Sequence, residues 1–419
     1  MKKVFAITLF LVFLLATIKA QENAVTKLYG EFKIEVKNST DISRIDELVA
    51  IDLSEIKVVR HKFNEDAFIV YQNEKEISSQ VFKDGSKTFI LFVTDFKANE
   101  AKVFSVKYFD DGILKKEYIP RTYAELAMKL DAVYKDKKFI ADQFQNFSKV
   151  TVPKVHTDHD AMFKYEGPGW ESEKVGYRFY LDWRNTNDIF GKKVNDLVLH
   201  KVGVKDVVAQ NDSYHEMQNW GMDVFKVGSS LGIGSIGMMS DKKIEKISKA
   251  DQVICEIPSN GPLVSEVKTT YNGWEVAGDE FDLISRLSIS AGSRLTHVKL
   301  DISDNASNIT TGLAKHEGVE LIKSDKKEGW QYIAMYGKQS LAEDNLGIVL
   351  FYNKDVLIKQ GEDELNYFVS LKPVNGNVKY YFAAAWEQEL NGVKNRSEFV
   401  KYIDDEIIKL NNPILIDIN

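Results

Sequence analysis

The chain has 419 residues, 55 of them basic and 62 acidic, for a formal net charge of -7. That balance excludes a basic nucleic-acid surface, while leaving room for an anion site if cations gather in one cleft. Cys255 is the single cysteine, so intramolecular disulfides are excluded and stability must come from large ordinary cores. Its alternating neighbours Val253 and Ile257 mark it as a core thiol.

In chain order, Met1 to Ala20 reads as a secretion signal. Lys2 and Lys3 are followed by an apolar run from Val4 to Ala16, and Thr17 to Ala20 then ends on a small residue before Gln21. Export to a periplasm is expected, with cleavage near Ala20. No later stretch is apolar enough for a span, so no membrane insertion of the mature chain is expected.

Residues 21–120 alternate with the period of strands: Phe32, Ile34 and Val36, then runs at Ala67–Tyr71, Thr88–Val93 and Val103–Tyr108. They predict a small N-terminal β-sandwich with a structural or docking role. Thr122 and Glu125 have the spacing of a capping box ahead of Leu126, Leu130 and Val133. Residues 121–155 are therefore expected to hold a linker helix, to about Lys138, and a surface wrap.

From 156 to 419 strands dominate, at Val175–Asp182, Asp196–His200, Gln252–Ile257, Leu263–Tyr271, Asp282–Ser290, Leu295–Ile302, Gln331–Tyr336, Gly347–Tyr352, Asn366–Leu371 and Lys379–Trp386. So many strands with little helix between them predict one large antiparallel double sheet. A last helix, Ser397 to Leu410, places Val400, Ile403, Ile407 and Leu410 on one side. The fold class is mainly β.

Functional residues crowd into Tyr165–Gly237. Along Val175–Asp182, one strand face carries Val175, Tyr177, Phe179 and Leu181, and the other Gly176, Arg178, Tyr180 and Asp182. Trp183, Arg184, Asn187 and Lys192 follow at once. Aromatic platforms beside cations and carboxylates suit an anionic sugar. Tyr214 and His215 are acid–base candidates, close to Trp220 and Asp223. His316 and His297 are further candidates. His156 and His159, with Asp158 and Asp160, mark where a divalent metal would bind if one is used; otherwise no cofactor is expected. Gly232, Gly234 and Gly237 match a dinucleotide fingerprint, but no βαβ unit surrounds them, so they read as backbone turns. Tyr380, Phe382 and Trp386 are either core or one wall of the cleft.

The segments EGPGWES (166–172), VGYRFYLDWRN (175–185) and DIFGKK (188–193), with YHE (214–216) and WGMDVFKVG (220–228), carry a resemblance. The chain resembles a family of exported proteins, first described only as a domain of unknown function. Its members are encoded in polysaccharide-utilisation loci for ulvan and pectin-type glycans, and include the ulvan oligosaccharide dehydratase. The resemblance implies loss of water from a non-reducing-end glucuronate, with sulfated glucuronate–rhamnose oligosaccharides as partners. A large mutarotase-like β-supersandwich is expected by analogy.

On that reading Arg178 neutralises the uronate carboxylate. Tyr214 and His215 serve as acid and base if a turn brings them together; otherwise His215 works with Tyr180 or His316. Trp170 and Trp183 stack on sugar rings, with Trp386 as a further wall. Arg184 or Lys192 meets sulfate, and Asp182 and Asp223 complete the binding set. Two other classes stay open: a glycoside hydrolase using carboxylates among Glu171, Asp182, Asp223 and Glu387, and a non-catalytic glycan-binding protein.

Overall fold

The computed structural model describes residues 30–204, 213–303, 305–324 and 328–419. The signal-peptide expectation falls outside these residues. Among them no helix is long and apolar enough to cross a membrane.

Alternation builds the first unit. In Gly30–Lys37 every second residue is buried, which sends Phe32, Ile34 and Val36 into one core. That strand pairs with Ala101–Tyr108, and a sheet of five continues through Phe68–Gln72 to Lys75–Ile77. A facing three-stranded sheet joins Arg44–Asp52, Lys87–Phe96 and Ser79–Asp84. The expected N-terminal sandwich is therefore present, with Phe92 and Phe104 touching across it at 4.6 Å.

Its outer strand comes from the far end of the chain. Leu415–Ile418 pairs antiparallel with Gly30–Lys37, so a unit drawn as 156–419 loses its last strand to the small sandwich. Arg44, fully buried, helps fix that return: its guanidinium bonds Asn38, Glu47 and the Asn412 carbonyl.

The linker helix predicted from Thr122 does not form. Thr122–Glu125 is instead a strand paired with Gly169–Ser172. Thr122 bonds the Gly261 carbonyl at 2.8 Å and Glu125 receives the Lys164 ammonium at 2.6 Å, so neither caps a helix. Leu126 is buried, whereas Leu130 and Val133 are exposed. Their spacing matched a helix, but the tertiary demand for Glu125 decided the backbone. The expected strand at 196–200 is likewise replaced, by a turn of 3-10 helix at Leu199–Lys201.

The large unit is a two-layer antiparallel sandwich. One layer has nine strands, in the order Lys149–Thr151, Gln252–Asn260, Val264–Val276, Asp279–Ser290, Leu295–Ile302, Asn377–Trp386, Asn345–Asn353, Trp330–Lys338 and Leu321–Lys323. The facing layer is two sheets of five. The first runs Gly221–Asp223, Asn187–Lys192, Val175–Phe179, Gly169–Ser172, Thr122–Glu125. The second runs Lys243–Lys246, Gly237–Ser240, Ile309–Ala314, Asn366–Leu371, Leu357–Glu362.

Strand Asn377–Trp386 shows how the layers share residues. Tyr380, Phe382, Ala384 and Trp386 enter the core between the layers, while Ala383 and Ala385 face the other way. There they meet Phe399, Ile403 and Ile407 of helix Arg396–Asn411, which is capped by Asn395 on the Glu398 N–H at 3.0 Å.

Removing residues 413–419 is expected to lower the unfolding free energy by about 2 kcal/mol, because Ile416 and Ile418 leave a half-buried seam. A urea titration measures this; an unchanged midpoint would show that the returning strand contributes nothing.

Candidate functional site

The site grows from a three-strand run in the first five-stranded sheet. Arg178 lies directly across from Asp188, and Phe190, two residues on, lies across from Asp223. The pleat therefore brings Arg178, Asp188, Phe190 and Asp223 to one face. The guanidinium donates Nε and Nη2 to Asp188 at 3.0 and 2.7 Å, and Nη2 also to Asp223 at 2.5 Å. Its Nη1 reaches the Tyr214 hydroxyl at 3.0 Å. The rings of Tyr180, Phe190 and Tyr214 stand 4.8, 5.3 and 5.1 Å from its carbon, forming a cation–π cage.

Arg178 was expected to grip a substrate carboxylate with this fork. The fork is already closed on two protein carboxylates and the side chain is buried, so that role is corrected to an organising one. Tyr180 is committed too, donating its hydroxyl to Asp188 at 2.5 Å. Burial holds that phenol well above its usual range, against the pull of Arg178, so it stays a donor. Burial and the neighbouring Asp223 push Asp188 up to about 6, again opposed by Arg178.

Ser213–His215 forms a single 3-10 turn, which brings the Tyr214 and His215 rings together, tilted by 52° with centroids 4.4 Å apart. The turn condition on that pair is met. His215 Nδ1 lies 3.3 Å from Asp223, and more than half of the His215 side chain is exposed. A buried carboxylate thus stands beside a half-exposed imidazole.

Around this centre lies a second ring of groups. Arg184 bonds Asp182 through Nε at 2.9 Å and Glu166 through Nη2 at 2.8 Å, and covers the Tyr180 ring at 3.9 Å. Glu166 also accepts the His159 N–H at 3.0 Å. Burial pushes Glu166 up, but Arg178 and Arg184 outweigh it and hold the carboxyl below its usual range. Trp183 is 46% exposed at the hairpin tip, its indole N–H fixed on Asp158 at 2.8 Å.

The backbone is strained here. Tyr165, Glu166, His159, Ala161 and Asn185 all have positive φ, between 38° and 71°. Such conformations cost energy in non-glycine residues and cluster at sites of function.

Several expected site residues lie elsewhere. Trp170 is fully buried, bonded to Thr296 at 2.9 Å and stacked on Tyr177. Trp386 is core, its indole on Asp344 at 2.7 Å. Lys192 is sealed against Glu171 at 2.8 Å with neither side chain exposed, so it cannot meet a sulfate. Asp182 serves Arg184. His316 packs on Phe225 at 5.0 Å, outside the contacts that join Arg178, Tyr214 and His215. His156 and His159 turn to different carboxylates, Asp160 at 2.9 Å and Asp158 at 3.3 Å. Among the described residues no group of three or more His, Cys, Asp or Glu is placed to hold a metal.

Glu166 and Asp188 are the site carboxylates that sequence reasoning missed. A hairpin register pairing 178 with 188 would have found Asp188, given the length of the turn. The glycines near them act as expected. Gly232 and Gly234 have φ of 52° and 66°, and a Cβ at Gly232 would stand 2.3 Å from the Asn187 carbonyl oxygen.

The family model described as Domain of unknown function (DUF4861) matches residues 36–416. The chain belongs to this family. A relative, an uncharacterized protein of Formosa agariphila, is 23% identical over 415 residues, covering 92% of this chain and 93% of its own. Two solved structures align at low similarity: a Glycosyl Hydrolase Family 38 protein and an alpha-mannosidase, both from Enterococcus faecalis. Each is 8% identical over 96% of this chain, with TM-scores of 0.42 and 0.43. The chain spans about half their length, 49% and 48%. A likeness this distant speaks to neither fold nor substrate.

Two buried groups of this DUF4861 chain give direct tests. Lys192→Met leaves Glu171 buried without its countercharge, with the Leu199 N–H left to meet it, so about 3–5 kcal/mol of stability should be lost in denaturant titration. Adding Glu171→Leu should restore most of it; no recovery would show that packing, not charge, is at issue.

His297 is partly buried, its ring stacked on Tyr381 at 4.3 Å, and the loss of water around it, helped by Lys379, lowers it to about 3. The unfolded ring protonates near its ordinary value and the folded ring does not. Stability is therefore complete above that value and is lost as pH falls toward about 3. His297→Phe should flatten this acid slope in melting curves; an unchanged slope would place the loss elsewhere.

Proposed function

We propose that this chain is an exported, periplasmic carbohydrate-active dehydratase. It would remove water from the non-reducing-end glucuronate of sulfated glucuronate–rhamnose (ulvan) oligosaccharides, leaving an unsaturated uronyl end. The observation that supports this most is the His215–Asp223 pair, a half-exposed imidazole set on a buried carboxylate beside Tyr214.

The chemistry follows from those groups. Proton removal next to a carboxylate needs that carboxylate neutralised. Arg184, largely buried but with about a tenth of its side chain exposed, takes the role first given to Arg178, since its Nη1 is left over from the bonds to Asp182 and Glu166. With Nδ1–H turned to Asp223, Nε2 of His215 is the basic edge. It takes the C5 proton. The C5–H pair becomes the C4–C5 double bond as the C4–O bond breaks, and the same proton leaves with O4 as water. The C5 hydrogen and O4 lie on one side of a glucuronate ring, so one residue can serve both steps. Tyr214, held by Arg178, backs the imidazole.

A hydrolase needs two carboxylates free to flank the scissile bond. Of those considered, Glu171 is sealed on Lys192, Asp182 holds Arg184, Asp223 holds Arg178, and Glu387 bonds Asn345. That leaves the elimination better supported. A pure binding protein would have no use for the oriented imidazole.

The test is the absorbance of the unsaturated end formed from saturated ulvan oligosaccharides. Wild type should form it, and His215→Ala should lower kcat by about 10²–10⁴-fold with the melting temperature kept. Arg184→Met should chiefly raise KM. Wild-type rates in His215→Ala would remove the imidazole from the mechanism.

A further inference from the structure

Beside the charged centre runs a groove of about 310 Å³, lined among others by Val152, His156, Leu181, Trp183 and Asn185. We propose that it is the subsite for the sugar that follows the reacting uronate, holding one pyranose ring face-on to Trp183. The proposal rests on the oligosaccharide reading above, although the binding it describes does not require the chemistry.

Three features point to a sugar. The first is a platform fixed in advance. Trp183 is about half exposed while its N–H is tied to Asp158, so stacking on it orders little that is not already held. The second is an orphaned acceptor. His156 is almost wholly buried and gives Nδ1 to Asp160 at 2.9 Å, yet its Nε2 has no hydrogen-bond partner. With the proton on Nδ1, Nε2 is an unpaired acceptor just behind the groove wall, and a ring hydroxyl reaches it once the His156 side chain shifts toward the groove it lines. The third is position. Asp182, which lines the groove, holds the Arg184 guanidinium through both of its oxygens, so one carboxylate joins the groove to the group assigned to the uronate. Asn185, held in positive φ and bonded to the Tyr271 hydroxyl at 3.2 Å, fixes that corner. The size falls at the lower end of small-ligand sites, about 300 Å³, which suits one ring rather than a long chain.

Titration calorimetry tests this with a saturated ulvan tetrasaccharide and with methyl glucuronide, which has no second sugar. Trp183→Ala, at an exposed position that leaves folding intact, should weaken tetrasaccharide binding about tenfold or more and leave methyl glucuronide unchanged. His156→Phe should weaken it similarly, and His156→Gln, which keeps an acceptor, should restore part. Unchanged tetrasaccharide binding in Trp183→Ala overturns the proposal. So does an equal loss for both ligands, which would place Trp183 on the reacting uronate itself. If wild type binds in this Trp183-dependent way but forms no unsaturated end, the dehydratase reading fails and the subsite stands. If it turns substrate over with KM unmoved by Trp183→Ala, the subsite fails and the reading stands.

Discussion

The arrangement depends on one buried guanidinium, Arg178, shared between Asp188 and Asp223 on the two neighbouring strands. Three charges away from water are costly, and hydrophobic residues of the same volume would often be at least as stable. What the network adds is direction. Asp223 can orient His215 only because Arg178 fixes Asp223, and Tyr214 keeps its place because its hydroxyl meets the same guanidinium. Removing either acid would leave the cation half-paired in an aromatic cage.

A division of labour follows from burial. Lys192 with Glu171, Lys164 with Glu125, and Arg294 with Glu389 are sealed pairs that brace strands and loops behind the site. Among the described residues of the site, Trp183, His159 and His215 are the exposed ones. They stand on the hairpin tip, the strained loop before it, and the short turn after it. Rigid strands carry the charge network, and irregular backbone carries the contacts, which is the usual placing of function on a β scaffold.

Much of the fold was legible because strand alternation has a period of two, and it survives in Gly30–Lys37, Asp279–Ser290 and Asn377–Trp386. The C-terminal helix was legible for a similar reason, through Ile403 and Ile407. The false helix at Thr122 shows the limit: local capping chemistry cannot reveal that Glu125 will be claimed by Lys164 and Tyr165. At the site, the two faces of Val175–Phe179 were readable, but the partners of Arg178 were not. They depend on hairpin register and on a third strand over thirty residues away. Lys192, Trp170 and Trp386 misled because a buried pair and a core indole have the same letters as a binding cation and a sugar platform. The return of Leu415–Ile418 to the first strand has no local signal at all.

The central claim, that the chain eliminates O4 from a terminal uronate, is tested most directly with substrate carrying heavy oxygen at O4. Mass spectrometry after incubation should show the label gone as water, the oligosaccharide unshortened and the uronate unsaturated. An unshortened chain that keeps the label, or a shortened chain, would contradict it.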